Sequence, residues 1–150
     1  MDHGELTQLI KSAAAKRTLP WELVYAICQV ESSLNPTATR YEPHFRWLVG
    51  DNEAMSPSER HDQMTSWGLM QVMGSVAREL GHTGPLTDLL HPPTGLFYGC
   101  LHLRRFRAKY DLWPDVIAAY HFGYGLGSLS GWFDALVRGK PDPAFGRLTR

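Results

Sequence analysis

Apolar residues recur along most of this chain at the three-and-four spacing of α-helices, not at the alternation of strands. Leu6, Leu9, Ile10, Ala13 and Ala14 share one side of residues 4–17 while Lys11, Lys16 and Arg17 lie off it, which predicts an amphipathic helix covering a core. The stretch Pro20 to Pro36, PWELVYAICQVESSLNP, predicts a second helix. Pro20 suits its first turn, Glu22 stands near the positive end of the dipole, and Asn35-Pro36 stops it. From Thr37 to Ser66 no period is sustained: TRYEPHFRWLV admits a short extended segment, and DNEAMSPSERHDQMTS a loop or short helix. A connection of about 30 residues is unusual in a compact domain, and such loops are more often functional than decorative. Thr65 or Ser66 can then cap a helix striped by Leu69, Val72, Met73, Val76, Ala77 and Leu80, ended by Gly81. Pro85 to Leu90 reads as a turn. His91-Pro92-Pro93 precedes a helix with Leu96, Gly99, Cys100, Leu103 and Phe106 inside and Arg104, Arg105, Arg107 and Lys109 outside. Pro114 to His121 predicts a short helix, the glycine-rich FGYGLGSLSG a turn, and Trp132 to Val137 a last apolar helix.

One polar residue interrupts this pattern. Glu31 lies seven residues after Val24, four after Ile27, three after Cys28 and three before Leu34, so it belongs to the apolar stripe of its helix. A carboxyl held against apolar surface has its charged form destabilised, the condition a general acid working near neutral pH requires. The alternative is a carboxylate paired with an arginine.

Composition narrows the class without choosing a chemistry. With 150 residues the chain is expected to be a single domain, burying about 70% of its unfolded surface. Hydrophobic residues make up 43%, charged residues 20%, and 15 basic side chains balance 15 acidic ones, which argues against disorder and against a general polyanion binder. The basic run Arg104 to Lys109 has no stacking aromatics beside it, so no nucleic-acid partner is expected. The seven histidines show no ligand spacing, and neither a metal nor another cofactor is expected. Cys28 and Cys100 both fall on apolar helix faces and read as buried free thiols rather than a disulfide. The start, MDHGELTQLIKSAAAKR, lacks the pattern of a signal peptide, and no run is long enough to span a bilayer.

Three short stretches carry the chemistry in a fixed order: Glu31-Ser32-Ser33, Gly68-Leu69-Met70-Gln71, and Ala118-Ala119-Tyr120-His121-Phe122-Gly123. Together they resemble the soluble-transglycosylase type of lysozyme-like lytic transglycosylase, related to goose-type lysozyme, over roughly residues 18 to 137. The resemblance implies a mainly α-helical lysozyme-like fold, with at most a short β segment in the 37–66 region and a cleft for peptidoglycan glycan strands. It implies cleavage of the β-1,4 bond between N-acetylmuramic acid and N-acetylglucosamine, with Glu31 as the single acid/base and a 1,6-anhydro product. Ser32, Ser66, Met70, Gln71, Tyr120, His121 and Tyr124 become candidate substrate-binding residues, with Glu42 a further one. His121 stands where the family has asparagine, and Tyr124 is available for a role that the family gives to a later tyrosine. Most glycosidases need two carboxylates. Met73 occupies a position where goose-type lysozymes carry an acid, but Asp62 and Glu42 leave a water-using muramidase open as the alternative. A glycan-binding or assembly protein without turnover is the reading from another class. The expected setting is the cell wall, reached by a monomer made in the cytoplasm and released by phage lysis, a virion or a secretion apparatus.

Overall fold

The computed structural model describes residues 1–122. The chain divides into two compact units, Met1–Arg104 and Arg105–Arg150. In the first unit, α1 (His3–Lys16) starts from a capping box in which Asp2 Oδ1 accepts from the Glu5 N–H at 2.8 Å and Glu5 Oε2 accepts from the Asp2 N–H at 3.0 Å. Its Leu6, Ile10 and Ala14, each one turn apart, are buried as their spacing requires. Helix α2 (Trp21–Ser32) follows Pro20 and buries Val24, Ile27 and Cys28.

The end of α2 comes earlier than Asn35-Pro36 suggests. Ser33 and Leu34 are both left-handed, with φ of 52° and 62°, and their N–H groups close on Gln29 and Cys28 carbonyls. Leu34 therefore leaves the helical stripe, and Glu31 lies in the final turn, not in mid-helix.

A three-stranded antiparallel sheet comes next, in the order β1 (Thr39–Tyr41), β2 (Thr65–Trp67), β3 (Val72–Met73). Its pairs are Arg40 with Ser66, Tyr41 with Thr65, Ser66 with Met73 and Trp67 with Val72. Between β1 and β2, Ser56 caps α3 (Pro57–Gln63), with Pro57 in its first turn. The expected helix from Thr65 or Ser66 to Leu80 is thus a hairpin followed by the short α4 (Gly74–Glu79). Of the apolar stripe, Leu69, Val72, Val76 and Ala77 are buried, while Met73 and Leu80 are partly exposed. Backbone geometry decides the rest: Gly68 and Gln71 have φ of 75° and 50°, which no right-handed helix accommodates. Gly68 is also required by space, because a Cβ there would run into the Leu89 carbonyl oxygen.

A 3₁₀ turn at Leu86–Leu90 leads into α5 (Pro92–Lys109). The core of the first unit includes Ile10, Val24, Leu69, Met70, Leu86, Leu89, Leu96 and Leu103. Within the second unit, α6 (Trp113–Phe122) buries Val116, Ala119 and Tyr120, and the Arg107 guanidinium lies 4.4 Å from the Trp113 ring centroid. Among the described residues the architecture is mainly α with one small sheet, as the lysozyme-like resemblance implies. The sheet extends past residue 66 to Met73 because the turn at Gly68–Gln71 folds β3 back onto β2.

Candidate functional site

Glu31 sits half-buried in the last turn of α2, one turn beyond Ile27 and Cys28, and no basic residue shares that turn. Burial pushes the Cys28 thiol up to about 12, with Cys100 and the Glu31 carboxylate adding to the shift. Burial pushes Cys100 up to about 12 as well, and both thiols are free.

Ser32 joins this helix end to the second motif. Its Oγ lies 2.9 Å from the Cys28 carbonyl oxygen and 2.8 Å from that of Leu69. The first contact is within α2; the second spans 37 residues and fixes the end of α2 against the Gly68–Gln71 turn. A hydroxyl has one proton to donate, so the two carbonyls share it.

The turn is held from inside by Gln71. Its Nε2 donates to the Ala38 carbonyl at 3.1 Å and the Gly68 carbonyl at 3.0 Å, while its Oε1 accepts from Ser66 Oγ at 2.8 Å. Ser66 is buried and also reaches the Arg40 carbonyl at 3.3 Å. Met70 is completely buried, and a Cβ on Gly99 of α5 would overlap its sulfur. The structure thus ties Ser32, the residue after Glu31, to the Gly68–Gln71 turn that Ser66 and Gln71 hold, with Met70 of that turn packed against Gly99.

The two other candidate acids, Asp62 and Glu42, are placed by the sheet and α3. Residues opposite each other in antiparallel strands project to the same side, so Arg40, Ser66 and Met73 form one row, and Tyr41, Thr65 and Trp67 belong to the other face. Helix α3 covers the second face: Thr65 Oγ1 donates to the His61 carbonyl at 2.8 Å, Trp67 Nε1 donates to the Asp62 carbonyl at 2.9 Å, and Tyr41 stacks on His61. Asp62 belongs to that side, its Oδ1 being 3.2 Å from His61 Nδ1. Glu42 makes an ion pair with Arg40, Oε1 to Nε, at 3.0 Å. In the second unit, Tyr120 is buried on α6 and His121 is exposed on the same helix, its ring edge-on to Phe122. Tyr124 lies outside the described residues.

One clamp carries no local sequence signal. Glu59 of α3 accepts from Arg78 of α4 through both carboxylate oxygens, from Nη2 at 2.7 Å and from Nε at 3.0 Å. Arg78 also donates to the His82 and Gly84 carbonyls, and Gln63 donates to Glu59 at 2.7 Å. The Arg78 hydrogen bonds hold the Glu59 carboxyl below its ordinary range. The clamp anchors α3, and with it the covered face of the sheet, to α4.

Comparison with known proteins gives a match at the family level. The family model described as transglycosylase SLT domain matches residues 8–134. No curated protein and no solved structure matches the chain.

Proposed function

Because the chain belongs to the transglycosylase SLT domain family, we propose that residues 1–150 act as one peptidoglycan lytic transglycosylase domain, with Glu31 as its acid/base. The observation that carries this reading is the 2.8 Å hydrogen bond from Ser32 to the Leu69 carbonyl, which holds the carboxyl-bearing end of α2 against the Gly68–Gln71 turn. A catalytic acid must be presented by rigid elements, and here both neighbours are internally bonded.

In the proposed reaction Glu31 gives its proton to the glycosidic oxygen as the C1–O bond of N-acetylmuramic acid breaks. The C6 hydroxyl oxygen of the same sugar then bonds to C1 and returns its proton to the Glu31 carboxylate. A 1,6-anhydro ring forms, no water is consumed, and one carboxyl serves both steps. The nucleophile belongs to the substrate, so the second carboxylate of an ordinary glycosidase is not needed. Two observations favour this outcome over water attack: Asp62 is engaged with His61 on the α3 side of the sheet, and Glu42 is engaged with Arg40. In this reading Gln71 and Ser66, bonded to each other at 2.8 Å, and the buried Met70 support the turn against which the end of α2 is held.

The test is digestion of purified peptidoglycan followed by mass analysis of the released muropeptides. Anhydro ends, lighter than reducing ends by one water, are the expected product. Reducing ends alone would replace the transglycosylase with a muramidase. Binding of glycan strands without any cleavage would leave a non-catalytic glycan binder.

A further inference from the structure

The Arg40 carbonyl takes part in the framework through Ser66, and the register of the sheet sets the Arg40 side chain on the side that carries Ser66. Arg40 pairs directly with Ser66, which pairs in turn with Met73, so its side chain belongs to the row that holds Ser66 and, through the Ser66 hydroxyl, Gln71. The Arg40 side chain is 63% exposed, against 28% for Glu42. Glu42 meets it as an ion pair at Nε, 3.0 Å away, and among the described residues the two terminal nitrogens make no hydrogen bond. An arginine held through Nε keeps its stem fixed while its terminal N–H fork stays available, the geometry that suits a second carboxylate.

We propose that Arg40 is a specificity-determining residue that pairs with a free carboxylate of the peptide stem carried by muramic acid. The inference rests on the peptidoglycan reading of this site and adds to it the part of the substrate that Arg40 meets. A bare glycan strand of N-acetylated sugars offers a guanidinium only neutral hydroxyls and amides. The peptide attached to each muramic acid brings carboxylates to the margin of the same cleft. Glu42 contributes by orientation: it meets the guanidinium at Nε rather than at the terminal nitrogens, and its charge disfavours an anion on its own side of the guanidinium.

The probe is a disaccharide-tetrapeptide, N-acetylglucosaminyl-N-acetylmuramyl-peptide, in two forms, with its peptide carboxylates free or converted to amides. It contains no muramic-to-glucosamine bond to be cut, so calorimetry reads binding without turnover. The protein is expected to bind the free acid about fivefold more tightly than the amide, a modest ratio because the pair is open to water. The ratio should shrink as salt is raised. Arg40→Ala should bring it close to one, Arg40→Lys should retain part of it, and Arg40→Glu should reverse it. Equal affinity of the unaltered protein for both forms would overturn the proposal, as would an undiminished ratio in Arg40→Ala. The charge series keeps the test sound if one variant folds poorly, since a merely structural arginine would lower both affinities together and leave the ratio alone. Cleavage of peptidoglycan is read separately. Strands cut by a protein indifferent to the carboxylates sink the Arg40 inference alone, and carboxylate-dependent binding without cleavage sinks the catalytic reading alone.

Discussion

Replacing Ser32 by alanine isolates the contact on which the proposed catalytic geometry depends. Two carbonyls lose a donor, but their losses are unequal. The Cys28 carbonyl keeps the Leu34 N–H at 3.2 Å, so its share of the Ser32 proton is readily replaced. The Leu69 carbonyl belongs to a fully buried residue and receives the Ser32 hydroxyl at 2.8 Å, so it is left in a place that water reaches poorly. A buried acceptor stripped of its donor costs about 1–3 kcal/mol. Part-burial of Ser32 itself favours the lower half of that range. For a chain of this size the equivalent fall in melting temperature is roughly 3–6 °C. The assay pairs thermal unfolding, followed by circular dichroism, with muropeptide release per folded molecule. Release is expected to fall about tenfold, because a carboxyl displaced by even an ångström from its aim loses much of its proton-transfer efficiency. An unchanged melting temperature would show that the hydrogen bond does not hold the helix end. A lowered melting temperature with full release per folded molecule would show that the contact is structural and does not aim Glu31.

Glu31→Gln keeps the shape of the side chain and removes its proton, so it should abolish nearly all glycan cleavage while leaving the unfolding curve in place; substantial residual cleavage would mean that another group is the acid. The Glu59–Arg78 clamp makes a signed prediction about acid: the folded carboxyl lies below its unfolded value, so its contribution is complete above the unfolded value and is lost as pH falls through the folded one. Unfolding measured from neutral to acid pH should show Glu59→Gln less stable at neutrality, with the gap closing toward low pH, and a gap constant with pH would refute the assignment. With their pKa values pushed up to about 12, Cys28 and Cys100 should ignore a water-soluble aromatic disulfide reagent in the native protein and both react after denaturation, and rapid labelling of the native protein would contradict their burial.

How far the sequence could be read depended on the range over which each feature is determined. The helices α1 and α2 are local: Leu6, Ile10 and Ala14, or Val24, Ile27 and Cys28, identify their buried sides without knowledge of what covers them. The same locality exposed Glu31 as a carboxyl in an apolar stripe. Where short apolar runs are buried on all sides, as at Leu69 and Val72, their spacing fits a helix and a hairpin equally well. Gly68 offered a cue to the turn, but a left-handed glutamine at position 71 offered none, since that conformation is stabilised by side-chain bonds to Ala38 and Gly68. Gly99 likewise reads as an ordinary helix residue until Met70 is found against it.

The least legible part is the segment between the first two motifs, and its nonlocal contacts explain why. Its strand β1 acquires a face only from pairing with β2, 26 residues later at Arg40 and Ser66, so nothing near Arg40 in sequence says that it shares a side with the glutamine of the second motif. Its helix α3 is fixed by Glu59 to Arg78, a partner 19 residues away. These two nonlocal contacts divide the segment's work between the faces of one small sheet. The α3 face is closed by His61, Asp62 and Trp67 and anchored by the clamp, and in the row on the other side Ser66 is buried while Arg40 is exposed. Loss of the clamp should therefore weaken substrate recognition as well as stability, whereas loss of Arg40 should alter recognition alone. A long irregular connection in a compact domain is uncommon and more often functional than not. Here Glu59 serves the fold through Arg78, while Glu42 meets the exposed arginine that the proposal gives to the substrate.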